Sequence, residues 1–322
     1  MLGVGALAAL VGGELFRPAP RSAEVMAGEI GARFGASLAA VLFYGSCLRR
    51  GSDEGVLDFY ALVDDYGAAY GAGALARANA VLPPNVFYLE RDCDGTRLRA
   101  KYAVFSLRDF ARAVRPEAIR VGTWARFCQP ALAVYRRDAE ASAALVDALC
   151  TAVKTAVWRG LALLPGDGDT RAGSAESLWR TVFGDTYASE LRPESRDRAG
   201  DIYAADPARY GRALAAALES LESEGRLRIA RSDAQGFEIA CPGGALRETR
   251  RRIRVRRPLA KAVATLQLLK SAATFGDWLP YALWKLERHT GTHLEPTERQ
   301  RRHPFVFGWP LIARVLWRRE LR

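Results

Sequence analysis

Two short apolar runs, parted by a glycine–serine pair and a polar loop, constrain this 322-residue chain more than any other feature. The first run, Ala39 to Tyr44, ends directly on Gly45-Ser46. A polar loop from Leu48 to Gly55 follows, and a second run covers Val56 to Val63. Both runs are too short for stable helices and are rich in β-branched and aromatic residues, so both read as strands. A strand that stops at a glycine and soon returns as another strand places the start of a sheet here, with a polar rim at one end.

The rest of the chain alternates similar signals. Ser22 to Phe34 reads as an amphipathic helix, and Val86 to Glu90, Arg97 to Ser106 and Ala131 to Tyr135 as strands. Leu107 to about Val114 reads as a helix between the last two. Ala139 to Leu164 is an Ala-rich helix stopped by Pro165. Gly166 to Ser174 (GDGDTRAGS) reads as a loop and a domain boundary. Helices over Ala175–Phe183 and Pro207–Gly225 precede two short strands around Asp233-Ala234-Gln235-Gly236, an order that suggests a winged-helix-like module. The fold class expected is α+β.

The chemistry concentrates between Phe43 and Asp65. Gly45 allows the backbone close to a polyphosphate, and the Ser46 hydroxyl with nearby N–H groups suits phosphate oxygens. Asp58, twelve residues after Ser46, would offer a carboxylate to Mg²⁺ from the adjacent strand. This layout resembles that of polymerase-β-like nucleotidyltransferases. Those enzymes usually carry a second carboxylate two residues later on the same strand face; here that position is Tyr60.

An ordered series narrows the resemblance. YGSC at Tyr44, LDFYALVDD at Leu57, VFY at Val86 and KYAVFS at Lys101 are followed by WARFCQP at Trp124 and KTAVWRGLALLP at Lys154. The series resembles the mitochondrial-type CDP-diacylglycerol synthases, the translocator assembly and maintenance family, from about Ala39 to Leu191, with a fainter match at Val255 to Val263. In that family the second carboxylate is also missing. The resemblance implies a CTP:phosphatidate cytidylyltransferase that forms CDP-diacylglycerol and pyrophosphate with Mg²⁺. It assigns Gly45 and Ser46 to the triphosphate, Asp58 to the metal, Lys101 to a phosphate and Arg126 to nucleotide binding. A loosely matched segment gives Glu190 and Arg192 as substrate contacts. The chain departs from the family at Cys47, in place of a glycine, and at Gln129, in place of a lysine. Read from the residues alone, the less favoured alternative for Lys101 is a solvated strand-edge lysine, and Asp64 and Asp65 are as readily turn caps as metal ligands.

A phosphate nucleophile is largely ionised at neutral pH and needs no strong general base, which suits a chain whose three histidines, His289, His293 and His303, all lie near its end. The glycines from Gly67 to Ala76 lack dinucleotide-loop spacing and read as a flexible loop near the active site.

Charge is divided sharply. From Arg247 to Arg322 there are 18 Lys and Arg against 6 Asp and Glu, a net +12; the first 246 residues hold 29 against 30. A uniformly basic protein is excluded, and the tail asks for an anionic partner. Four of the seven tryptophans (Trp278, Trp284, Trp309 and Trp317) lie there, with Leu259, Val263, Leu266 and Leu269 at helical spacing. That combination suits an anionic bilayer holding phosphatidic acid, although a packing face has the same pattern. Nucleic acid is the less favoured partner, since no base-reading motif is present. The apolar start reads as a first helix or a poorly ordered leader rather than a secretory signal, because no basic residue precedes Arg17. Five scattered cysteines with no CxxC pair exclude a disulfide framework and a zinc module.

The expectation is thus a polymerase-β-like nucleotidyltransferase domain over 20–165, a helical winged-helix-like domain over 174–246, and basic, Trp-rich membrane-associating helices over 247–322. The protein would bind CTP and phosphatidic acid and lie peripherally on the inner face of the cell membrane. The alternatives are a nucleotidyltransferase acting on another acceptor and a non-catalytic basic nucleic-acid-binding module.

Overall fold

A computed structural model describes residues 3–166, 168–189 and 198–274, together with Glu298. Glu190, Arg192, the three histidines and the four tail tryptophans lie outside the described residues.

The chain opens with helix α1 (Gly3–Leu15), whose Leu7, Val11 and Leu15 are buried at helical spacing. Helix α2 (Arg21–Phe34) buries Ala23, Met26, Ile30 and Phe34 along one stripe, as its amphipathic pattern requires. Strand β1 (Leu38–Tyr44) is buried throughout. A five-residue helix, α3 (Ser46–Arg50), follows, then strand β2 (Leu57–Val63). The loop expected from Leu48 therefore begins later: Gly45, with φ 94°, turns the chain into a helical turn that ends at Gly51.

Helices α4 (Tyr66–Tyr70) and α5 (Ala74–Val81) come next. They replace the flexible loop expected over Gly67–Ala76, because Asp65 caps α4 by accepting from Ala68 N at 2.9 Å. They follow the C-terminal end of β2, whereas Gly45 and Asp58 lie at its start, so this segment is not beside the candidate site. Asp64 forms a paired contact with Arg137 (2.6 and 3.0 Å), so both aspartates have structural partners.

Strands β3 (Asn85–Cys93) and β4 (Thr96–Ser106) form a hairpin. Helix α6 (Leu107–Ala113) and a short helix, α7 (Gly122–Phe127), lead to strand β5 (Ala131–Arg136). The five strands form a mixed sheet in the order β3-β4-β2-β1-β5, with β2 and β4 parallel and the other pairs antiparallel. Alternation divides the side chains: Val41, Phe43, Phe59 and Val104 face α2, while Leu42, Tyr44, Tyr60 and Phe105 join a larger cluster with α1, α7 and α8.

Helix α8 (Ala139–Leu163) is capped by Asp138, which accepts from Ala141 N at 2.7 Å. It is the one described helix long and apolar enough to cross a membrane, yet most of its apolar stretch is buried. Gly160 lets helix α9 (Ala175–Ser189) approach: a Cβ there would lie 2.7 Å from Val182. The stretch expected as a loop contains strand β6 (Thr170–Gly173), held by pairing with a distant strand. Helices α10 (Arg198–Ala204) and α11 (Pro207–Ser223) precede strands β7 (Arg228–Asp233) and β8 (Gly236–Ala240). Asp233 closes their hairpin by accepting from Gln235 N and Gly236 N. The small sheet runs β6-β8-β7, antiparallel throughout. Its Phe237 and Ile239 belong to the same apolar cluster as Tyr60 and α8, so the core is continuous across both sheets.

Helix α12 (Ala245–Thr274) begins well before the apolar positions at helical spacing from Leu259, carries the arginines from Arg250 to Arg257 and continues through Pro258. Arginine is a good helix former, and Glu248 pairs with Arg251 and Arg252 one turn on. Ile253, Ala260 and Gln267 face the body, and Gln267 and Lys270 bond to the α5–β3 connection. Val255, Leu259 and Leu266 are turned outward. All five cysteines are free thiols.

Candidate active site

The sheet brings four of the expected residues, Gly45, Ser46, Asp58 and Lys101, together where β1 ends and β2 begins. Tyr44 pairs with Asp58 across β1 and β2, and Asp58 pairs with Lys101 across β2 and β4. Lys101 Nζ lies 3.0 Å from Asp58 Oδ1, both side chains part-exposed. Since β4 is interior to the sheet, Lys101 is no strand-edge residue.

Gly45 sits against the same carboxylate. A Cβ at this position would be 2.9 Å from Asp58 Oδ2, and φ of 94° falls where side chains are strained. Ser46 starts α3 immediately beyond, and Gly45 O accepts from Arg49 N at 3.1 Å. Cys47, buried, turns inward and donates to Val56 O at 3.4 Å, which ties α3 to the start of β2. Burial, then the Asp58 carboxylate, push its thiol pKa up, so Cys47 is a packing residue rather than a nucleophile. The same field includes Arg50 and Asp53, two charged residues that the sequence motifs did not single out.

Tyr60 explains the missing second carboxylate physically. It projects to the same face as Asp58 but one pair deeper, and only 4% of it is exposed. Its ring stacks on Phe105 at 5.5 Å and meets Phe127 edge-on at 4.8 Å, with Tyr44 and Phe110 completing the cluster. This position is core, closed to an ion.

Arg126 is on α7, where its guanidinium donates to Gly122 O at 2.6 Å. The end of α7 is joined to α3 through Arg49 Nη1 and Gln129 Oε1 (2.8 Å), so Gln129 braces the glycine–serine turn. Arg209 supports the same corner from behind: it is buried, donates to Cys128 O at 2.7 Å and forms a two-bond ion pair with Glu14. Neither the Gln129 nor the Arg209 contact was legible from local motifs, because each joins segments remote in sequence.

Among the described residues no three His, Cys, Asp or Glu side chains are grouped to hold a metal. Mg²⁺ commonly takes one or two carboxylates and completes its shell with water and substrate phosphates. Asp58 fits that role for an ion carried by a polyphosphate, and the residues do not fit an all-protein cage. A cavity lies elsewhere, between α8 and α12. No protein-family model and no curated protein sequence matches the chain.

Proposed function

We propose that the chain is a nucleotidyltransferase of the polymerase-β-like type, and specifically a CTP:phosphatidate cytidylyltransferase that forms CDP-diacylglycerol and pyrophosphate. The observation that carries this reading is the meeting of Gly45, Asp58 and Lys101 where β1 ends and β2 begins, where a tight backbone turn, one carboxylate and one cation converge. The choice of CTP and phosphatidic acid rests on the motif series.

Gly45 and Ser46 bind the triphosphate through backbone N–H groups and the hydroxyl. Lys101 exchanges its Asp58 contact for a phosphate oxygen and neutralises charge there, and Arg126 serves nucleotide binding. Asp58, freed of that contact, would be the residue that holds Mg²⁺, and the ion would supply neutralisation of developing phosphate charge. The acceptor phosphate is ionised, so positioning replaces a general base. The described part of α12 suits a membrane: Val255, Leu259 and Leu266 are exposed beside a row of arginines. Several of those arginines also hold the body, since Arg250 donates to Leu163 O and Arg256 to Glu117 O. The helices around the small sheet and its β7–β8 hairpin support the winged-helix-like reading of that region. The proposed location is peripheral, on the inner face of the cell membrane.

The test is incubation of purified protein with labelled CTP, Mg²⁺ and phosphatidic acid in liposomes. Formation of CDP-diacylglycerol, lost in Asp58→Ala, is expected. No product, or undiminished product from the variant, overturns the proposal.

A further inference from the structure

A partly open cavity of about 380 Å³ lies between α8 and α12, bordered by residues 116–119 and by Gly225 and Arg226. It contains none of Gly45, Ser46, Asp58, Lys101 and Arg126. Its size falls in the range of small-ligand sites, roughly 300–1,000 Å³.

The lining is strongly cationic. Arg159, Arg226, Arg252, Arg256 and Arg257 reach it, against Glu117 and Glu248. Asp185 stands behind two of these arginines, accepting from Arg159 at 2.7 Å and from Arg257 at 2.8 Å. Counting all three carboxylates, two positive charges remain in excess. The guanidiniums are also held in place. Arg256 donates to Glu117 O at 3.0 Å, Arg252 to Glu248 at 2.7 Å, and Arg226 lies over the Trp158 ring at 4.1 Å. Trp158 is itself fixed, donating through Nε1 to Thr249 Oγ1 at 3.0 Å. Beside this cationic half, Trp124, Ile119, Ile253 and Ala260 supply an apolar wall.

A fixed group of guanidiniums offers paired N–H donors that match phosphate oxygens, and pre-ordering lowers the entropy cost of binding. An apolar wall next to it suits the carbon part of the same molecule. We propose that this cavity binds an organic phosphate, its phosphate held by Arg226, Arg252 and their neighbours and its carbon portion lying on Trp158 and Ile253. The ligand is either a free phosphomonoester or the headgroup of a phosphate-bearing lipid. This site does not depend on the reading of the Gly45–Asp58 site.

The experiment uses the full chain and two arms. Calorimetry with glycerol 3-phosphate and inorganic phosphate probes the free ligand; sedimentation with phosphatidylcholine vesicles, with and without phosphatidic acid, probes the lipid. Arg226→Gln with Arg252→Gln is the informative variant. It leaves Asp185 paired with Arg159 and Arg257, and Glu248 paired with Arg251. Exposed Arg77→Gln with Arg212→Gln removes equal charge away from the cavity. Binding in either arm should weaken at least tenfold in the cavity variant and stay within twofold in the surface variant. Binding in the soluble arm assigns a free phosphomonoester; binding in the vesicle arm alone assigns the lipid. If the double variant fails to fold, Arg252→Gln alone, at an exposed position, should weaken binding at least threefold. Absence of binding in both arms, or equal effects of the cavity and surface variants, overturns the proposal.

Discussion

The Asp58 carboxylate occupies the space that any side chain at Gly45 would need, with Oδ2 only 2.9 Å from where a Cβ would stand. Glycine is therefore required twice at this turn, by contact and by its φ of 94°. Gly45→Ala should lower stability by about 1–2 kcal/mol from backbone strain alone. It should also displace Asp58 and reduce nucleotidyl transfer more than tenfold. Thermal unfolding and the CTP assay together check this. Full transfer activity in a destabilised variant would separate the turn from the chemistry.

Lys101 and Asp58 share one oxygen contact, so they must part if one is to meet phosphate and the other a metal. Lys101→Met should leave Asp58 in place and weaken charge neutralisation at the phosphates. A loss of about 100-fold in kcat/KM for CTP is expected, equivalent to ~2.7 kcal/mol of transition-state stabilisation. Steady-state kinetics at saturating Mg²⁺ measure it. A change confined to the Mg²⁺ requirement would instead make Lys101 a positioning residue for Asp58.

Restoring a second carboxylate by Tyr60→Asp should damage the protein rather than improve catalysis. The substitution removes a buried aromatic that packs on Phe105 and Phe127, at a cost of about 3–5 kcal/mol, and buries a carboxyl among rings. Urea denaturation should show the loss, with no gain in transfer rate. A stable, more active variant would mean that this position opens to the metal.

These relationships show which parts of the molecule the sequence could reveal. β1 and β2 were legible because their apolar runs end at Gly45 and open at Asp58, all within one local stretch. The Asp58–Lys101 contact was not, since it depends on a parallel pairing between β2 and β4 that α4, α5 and β3 separate in the chain. β6 looked like a loop because Thr170–Gly173 has little strand propensity of its own and is held by β8. On α12, Leu259 and Leu266 were read as an apolar stripe of undecided role. The body-facing side is instead Ile253, Ala260 and Gln267, whose spacing of seven is obscured by a polar residue. Arg209 gave no local sign that it would be buried, because its partner Glu14 is 195 residues away.

Lys270 anchors the far end of α12, donating to Asn85 Oδ1 at 2.9 Å, to Ala78 O on α5 and to Leu82 O just after it. Burial and then Arg120 push its pKa down to about 8. The unfolded value is ~10.4, so between these two pH values the unfolded chain holds the extra proton and stability rises with pH. Lys270→Met should abolish that contribution. Urea midpoints at about pH 7 and pH 10 should therefore rise more for the parent than for the variant, with titrations common to both cancelling. An equal change in both proteins would exclude a depressed Lys270.

Glu14 and Arg209 test how the first helix supports the site. Arg209 is 3% exposed, and its remaining donor reaches Cys128 O, one residue before the Gln129 that holds α3. Glu14→Gln leaves a buried guanidinium without its counter-charge and should cost about 3–5 kcal/mol. Replacing both residues with leucine removes the uncompensated charge, so Glu14→Leu with Arg209→Leu should recover much of that stability. The Cys128 carbonyl contact is lost in the double variant. On the functional proposal, transfer activity should remain at least fivefold below the parent even where stability returns. Guanidinium denaturation and the CTP assay, run on the same preparations, distinguish the two effects. Recovery of stability and activity together would show that Glu14 and Arg209 hold the core without shaping the Gly45–Ser46 turn.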